Sequence, residues 1–360
     1  MALSRYKLGE LIKQRREKYD GLEELPVRGV AREGFISPKQ DGANLSLYNV
    51  YYLNDFVFNP ARMELNSIAL NTFWDKAICS SLYEIFYVER TDLLLPEYLN
   101  LFVRRDEFAR KCWFEAVGSA RNYFRVSDLS EFDIDLPDLS AQQKYVDIYK
   151  AMVANQQCYE RGLEDLKLVF TGYIENLRKT ETLRRIGDYI TPYNEKNADE
   201  SITLEQGINI EKRFITPQRS NSNLQGRKIV RHGQFAYCTQ LNNENVAIAY
   251  RDGCDCLVSS VYNVFEITRK NELLPEYLLV WLIRSEFGRF VYWASEGSAY
   301  EFLNYSNLAN YMMPVPNVKI QKSIVDIYNV YTERKRINEQ LKSQIKNICP
   351  ILIRGSLEFN

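Results

Sequence analysis

Leu94-Leu-Pro-Glu-Tyr-Leu99 returns, letter for letter, as Leu273-Leu-Pro-Glu-Tyr-Leu278, an offset of 179 residues. The same offset aligns Glu107-Phe108 with Glu286-Phe287, Gly118-Ser-Ala120 with Gly297-Ser-Ala299, and Val146-Asp-Ile-Tyr149 with Val325-Asp-Ile-Tyr328. It also pairs Phe35-Ile-Ser-Pro38 with Phe214-Ile-Thr-Pro217 and Ser80-Ser81 with Ser259-Ser260, while Leu8-Gly9-Glu10 meets Ile186-Gly187-Asp188 at 178. A collinear series of this kind is an internal duplication, which decides architecture before local propensities are weighed. The 360 residues are two copies of one unit, in keeping with the two domains their length favours.

Each copy opens with a mixed region and closes with a helical one. Short β-branched and aromatic runs, such as Asp55–Phe58, Ser80–Val88 and Val261–Ile267, read as strands separated by Asn, Gly and Pro clusters. The proline of each Leu-Leu-Pro-Glu-Tyr-Leu suits the first turn of a helix. The fold class is therefore α+β, with mixed domains over 1–140 and 181–319 and spacer helices over 141–180 and 320–360. The helices begin after Leu136-Pro137 and Val315-Pro316. In the second, positions 324, 327, 331, 334, 338, 341, 345, 348 and 352 alternate three- and four-residue steps, the spacing of a coiled-coil seam. The matching register in the first runs from Tyr145 to Tyr173. Ile148, Met152, Leu166 and Val169 are expected to face Ile327, Tyr331, Leu341, Ile345 and Ile348, with Asn155, Arg334 and Asn338 as polar seam positions and Pro350 kinking or ending the second helix. Two such helices pack most economically antiparallel, with one mixed domain at each end; ~36 residues span ~54 Å, about one and a half turns of duplex DNA.

Composition closes several routes. Forty-six Lys and Arg oppose forty-seven Asp and Glu, so binding by bulk positive charge is excluded while a local basic surface is not. The mixed regions carry 18 basic to 22 acidic and 15 to 16, and the helices carry 13 to 9. One histidine, His232, leaves little for a metal site or a His-based triad, and its Val-Arg-His-Gly-Gln setting reads as a turn before a strand. Seven cysteines without Cys-x-x-Cys read as reduced thiols, with Cys254 and Cys256 at hairpin positions. With no signal core and no membrane-length apolar run, the expectation is a cytoplasmic chain. Asn59-Pro-Ala-Arg62 lacks the second proline and the aromatic of an amino-methyltransferase loop, and no glycine-rich cofactor loop precedes it.

Four features together resemble the specificity subunit of type I restriction–modification enzymes. Leu136-Pro-Asp-Leu-Ser-Ala-Gln-Gln-Lys-Tyr-Val-Asp-Ile148 looks like that family's proline-then-Gln start of a helix; its second form keeps Gln321 but has Lys322 in place of the second Gln. Phe56-Val-Phe-Asn-Pro-Ala-Arg62 is similar to a common target-recognition segment, Ser-Ser-x-Tyr stands at Ser80–Tyr83 and Ser259–Tyr262, and Gly-Ser-Ala stands at 118 and 297 where the family has Gly-Ser followed by polar residues. The resemblance implies two target recognition domains, each reading one half of a split, adenine-containing duplex, and no catalysis by this chain. It implies two methyltransferase subunits as partners, a restriction and translocation subunit for cleavage, and S-adenosylmethionine in the methyltransferase rather than here. The recognition subunit of type IIB enzymes and a protein-interaction scaffold are the alternatives.

Arg and Lys suit phosphate and guanine, and Asn and Gln suit adenine. Loops at matching places of both copies concentrate these types. Lys39, Gln40 and Asn44 correspond to Gln218, Arg219 and Asn223; Asn59 and Arg62 correspond to Thr239, Gln240, Asn242 and Asn243; Ser119, Arg121, Asn122 and Tyr123 correspond to Ser298 and Tyr300. These loops differ between copies while the Leu-Leu-Pro-Glu-Tyr-Leu scaffold does not, as reading two different half-sites requires.

Overall fold

A computed structural model of the chain describes residues 3–38, 44–116, 123–217, 224–241, 246–295 and 302–358. The first copy contains β1 (Ser4–Lys7), β2 (Ile12–Arg15), β3 (Gly29–Ala31), β4 (Gly34–Ile36), β5 (Asn49–Tyr52), β6 (Asp55–Phe58), β7 (Ile68–Leu70), β8 (Lys76–Cys79) and β9 (Glu84–Val88). Helices α1 (Pro96–Val103), α2 (Asp106–Ala116) and α3 (Val126–Ser130), strand β10 (Asp133–Leu136) and the long helix α4 (Leu139–Thr180) follow. The second copy repeats that order: β11 (Leu183–Arg185), β12 (Ile190–Tyr193), β13 (Gly207–Ile208), β14 (Phe214–Ile215), β15 (Lys228–Val230), β16 (Gln234–Cys238), β17 (Ile248–Tyr250), β18 (Cys256–Val258) and β19 (Tyr262–Ile267). Then come α5 (Pro275–Leu282), α6 (Ser285–Ala294), α7 (Tyr305–Ala309), β20 (Met312–Pro314) and the long helix α8 (Val318–Glu358).

The chain divides into two compact units, one of residues 1–160 with 337–360 and one of 161–336. The first is built on an antiparallel sheet of order β2-β9-β6-β7 and the second on one of order β12-β19-β16-β17. In each, a stacked phenylalanine pair on neighbouring strands anchors the core: Phe56 on Phe86 at 4.8 Å and Phe235 on Phe265 at 5.0 Å between ring centres. The repeated Gly9 and Gly187 have a packing reason. A Cβ at either would stand 2.9 Å from the Cβ of Ser130 on α3 or Ala309 on α7, far inside normal contact. Pairing of β1 with β10, and of β11 with β20, brings the start of each mixed region beside the start of its long helix. Asp138 then accepts from the Ala141 N–H at 2.8 Å, and Asn317 from that of Ile320 at 3.1 Å, capping α4 and α8.

The long helices pack against each other within each unit. In the first, Tyr145 lies against Gly355, and Gln156 donates to Asn338 at 3.1 Å, an antiparallel sense. In the second, Arg334 lies over Gly162 and the ring of Phe170 meets Tyr328 at 5.9 Å in the same sense. The phase of the α4 seam differs from the expectation at Ile148, Asn155 and Val169, while Gly162 stays half-buried. Tyr145, Met152, Tyr159, Leu166 and Tyr173 are buried or half-buried, but their alternates are Tyr149, Gln156, Leu163, Phe170 and Leu177. Ile148 is 39% and Val169 58% exposed, and Asn155 faces solvent. At 148–149 and 169–170 both neighbours are apolar, so a 3.5-residue period fits either phase. The larger aromatic member wins because it packs against the core of its own unit. On α8, Ile327, Tyr331, Leu341, Ile345 and Ile348 are half-buried, Asn338 is buried and Arg334 is exposed. Pro350 does not end α8, which runs on to Glu358. Leu352, Ile353 and Ser356 beyond it are buried in the first unit, and that burial offsets the hydrogen bond lost at proline.

Candidate nucleic-acid interface

In the first unit β6 stops at Asn59 for a local reason. Its side-chain oxygen accepts from the Ala61 N–H at 3.1 Å, and Pro60 opens a short 3-10 segment, Pro60–Leu65. That segment is broken at Arg62 (φ −142°) and closes on Asn66 in the left-handed region (φ 55°). On the facing side, Ser80–Tyr83 is a tight turn between β8 and β9, with the Tyr83 N–H donating to the Ser80 carbonyl at 3.0 Å. Asn59, Arg62, Ser80 and Tyr83 line one open groove of about 570 Å³ together with Arg28 and Arg32. Arg62 is exposed and makes no ion pair among the described residues, so its guanidinium is available to an anion.

Arg32 joins this groove to two others. One of about 410 Å³ is lined by Asn66, Asp106, Arg110 and Trp113; a larger one of about 990 Å³ reaches Arg104, Gln156, Lys342 and Lys346. Arginines and lysines outnumber the acids along these grooves, whose acidic members are Glu33, Glu64, Asp106 and Glu160. Arg32 lies 3.5 Å from Asp106, a partly exposed pair that holds the guanidinium near the groove without burying it. A mixed domain with an acidic balance thus presents a locally basic track.

The second unit builds the matching place differently. The Leu303 N–H donates to the Thr239 carbonyl at 2.8 Å, as the Phe124 N–H does to the Pro60 carbonyl at 3.0 Å in the first unit. Gln240 pairs with Phe302 in a single β-bridge, and the Thr239 hydroxyl donates to the Val261 carbonyl at 3.3 Å, beside the Ser259–Tyr262 turn. Gln240 is exposed there. Tyr123, half-buried, immediately precedes Phe124 and so stands next to Pro60. Asn44 is spent locally: its oxygen caps Leu45–Leu47 through the Ser46 N–H at 3.1 Å. Lys39, Gln40, Ser119, Arg121, Asn122, Gln218, Arg219, Asn223, Asn242, Asn243, Ser298 and Tyr300 lie outside the described residues.

Two arginines not singled out in the sequence matter here. Arg28 and Arg32 flank the groove, and the Phe35-Ile-Ser-Pro38 repeat beside them was the available signal. His232 is a turn residue: its N–H donates to Asp255 at 2.9 Å, and Arg231 grips Asp255 at 2.7 Å together with Glu195. Those hydrogen bonds from Arg231 hold both carboxyls below their usual range. Burial raises the Cys256 thiol to about 11 and the Cys79 thiol to about 12, so neither is a thiolate at neutral pH. Among the described residues no group of three or more His, Cys, Asp or Glu could hold a metal, and no helix is long and apolar enough to cross a membrane.

Residues 184–347 match the family model described as type I restriction modification DNA specificity domain. No curated protein matches the sequence. Among solved structures, the type I restriction–modification system S subunit from M. genitalium aligns with a TM-score of 0.59 at 13% identity, covering 99% of this chain and 96% of that one. A structure described as the basis of complex assembly and conformational transition of the type I R-M system aligns with a TM-score of 0.50 at 15% identity, over 98% of each chain. The HsdS subunit from Thermoanaerobacter tengcongensis gives 0.49 at 17% identity, over 98% and 96%. The first two likenesses are of fold.

Proposed function

We propose that this chain, whose residues 184–347 match the type I restriction modification DNA specificity domain, is a specificity subunit of that kind and reads a split, adenine-containing duplex with one mixed domain per half-site. In this reading residues 1–140 and 181–319 are the target recognition domains, and α4 and α8 are the spacer that sets the gap between half-sites. The chain performs no chemistry itself. It presents DNA to two adenine methyltransferase subunits, and to a restriction subunit where cleavage accompanies modification. The observation that carries the reading is the groove of Asn59, Arg62, Ser80 and Tyr83 and its differently furnished counterpart around Thr239, Gln240 and the Ser259–Tyr262 turn. Equivalent places on equivalent sheets bear different base-contacting side chains, as two different half-site words require. By sequence order alone, Lys39, Gln40, Ser119, Arg121 and Asn122 are further candidates in the first domain, and Gln218, Arg219, Asn223, Asn242, Asn243, Ser298 and Tyr300 in the second.

Genome-wide mapping of adenine methylation, in cells carrying the methyltransferase subunit with and without this chain, tests the proposal. A two-part motif that appears only with the chain is expected. An unchanged methylation map would overturn the reading and leave the protein-interaction scaffold in its place.

A further inference from the structure

Gln142 and Gln321 are wholly buried, and each makes the same three hydrogen bonds. The Gln142 side-chain oxygen accepts from the Leu95 N–H at 2.9 Å, and its nitrogen donates to the carbonyls of Leu93 at 2.7 Å and Pro137 at 2.9 Å. The Gln321 oxygen accepts from the Leu274 N–H at 2.9 Å, and its nitrogen donates to the carbonyls of Glu272 at 2.6 Å and Pro316 at 2.8 Å. Each carboxamide, carried on the first turn of a long helix, therefore clips together two stretches of its mixed domain: the segment leading into α1 or α5, and the segment between the last strand and the helix. Leu95 and Leu274 are the N-cap residues of α1 and α5 and make no side-chain cap of their own, and the glutamine oxygen takes their N–H groups.

From this we propose that Gln142 and Gln321 are positioning residues that hold each recognition domain at one angle to its spacer helix, and so keep the gap between half-sites single-valued. The inference rests on the proposed DNA-reading role. Apolar packing also joins helix to domain, but it is non-directional and allows tilting. Three hydrogen bonds from one planar group do not. Leverage makes the angle matter: a 42-residue helix is ~63 Å long, so a tilt of ~10° at one end moves the other by ~11 Å, about three base-pair steps. The neighbouring Gln143 and Lys322 are exposed and differ between copies, which sets the clip apart from the surface beside it.

The test is methylation mapping with the full chain and its methyltransferase subunit, comparing the unaltered chain with Gln142→Leu, Gln321→Leu and the exposed control Gln143→Leu. Both half-site words should stay unchanged. Methylation at gaps one base pair longer or shorter should rise about tenfold in the two clip variants, the scale of losing roughly one net buried hydrogen bond, and not in the control. A single unchanged gap with evenly reduced methylation would reduce the glutamines to a structural role and overturn the proposal, as would a changed half-site word. If the leucine variants fail to assemble, Gln142→Met and Gln321→Met, which keep the side-chain length and remove the carboxamide without burying a charge, are scored in their place; failure of these too would make the clip a folding requirement and likewise overturn it. Absence of any two-part motif with the unaltered chain would instead refute the DNA-reading role.

Discussion

Asp55 in the first unit and Gln234 in the second occupy the same place at the start of matching strands, and they solve the same burial problem with opposite chemistry. Asp55 is 1% exposed and takes both arms of Arg15, at 2.6 and 3.1 Å, while that guanidinium lies between the rings of Tyr52 and Tyr87. Gln234 instead donates to Glu266 at 3.0 Å and accepts from the Arg231 N–H at 2.8 Å, and the ion pairs move outward to Arg231, Glu195 and Asp255. Beneath them the phenylalanine stacks, the packed glycines and the glutamine clips are the same. The difference teaches that the sheet and its attachment to the helix tolerate one solution, whereas the rim above tolerates several. The proposed reading of two words with one framework calls for that division.

Four measurements can break or sharpen this comparison. Phe86→Ala and Phe265→Ala should each cost about 3–5 kcal/mol, seen as lost hydrogen-exchange protection in the sheet of the altered unit. Costs differing by more than about 2 kcal/mol would deny that the two cores are equivalent. Asp55→Leu should cost about 3–5 kcal/mol by leaving Arg15 unpaired, against about 1–3 kcal/mol for Gln234→Leu; equal costs would erase the contrast between a charged and a neutral solution.

Lys212 supplies the third measurement. It donates to the Leu282 carbonyl, and burial pulls its pKa down to about 8. The first copy has Glu33 at the matching position. Between pH 8 and the ordinary lysine value the unfolded chain binds the extra proton, so the second unit should gain stability as pH rises through that window. Lys212→Met should remove the slope and stabilise the unit by about 1–3 kcal/mol at pH 7. A slope that survives the substitution would place its origin elsewhere. The smallest effect expected is that of Arg62→Ala on binding of the duplex identified by methylation mapping. The log–log salt slope should fall by about 1, and an unaltered slope would take Arg62 off the DNA.

Much of the scaffold could be read from residue order, and little of its detail. The strands around Phe56 and Phe235, and the helices at Pro96 and Pro275, follow from local pattern and proline placement. Asn59 and Arg62 could be singled out because a polar pair follows a strand at a repeated place. Arg28 and Arg32 were signalled only indirectly, by the Phe35-Ile-Ser-Pro38 repeat beside them, since that repeat does not announce that a hairpin brings them to the groove beside the Pro60–Leu65 segment. The capping role of Asn44 was equally invisible, because a turn asparagine reads alike whether its oxygen faces DNA or its own backbone.

Residue order alone determined that the chain is one unit written twice, because identity at a constant offset needs no coordinates. It also determined that each unit ends in a long helix, because a 3.5-residue period survives without knowledge of a partner. Only the tertiary structure decided which phase of that period is buried, choosing Tyr149 and Phe170 over Ile148 and Val169 and joining Gln156 to Asn338. It alone decided that the first glutamine after the proline is a buried clip while the second is surface. The physical reason is common to both. Burying a polar group depends on partners that arrive from distant sequence, here 47 to 49 residues before Gln142 and 182 after Gln156, and a local pattern carries no record of them.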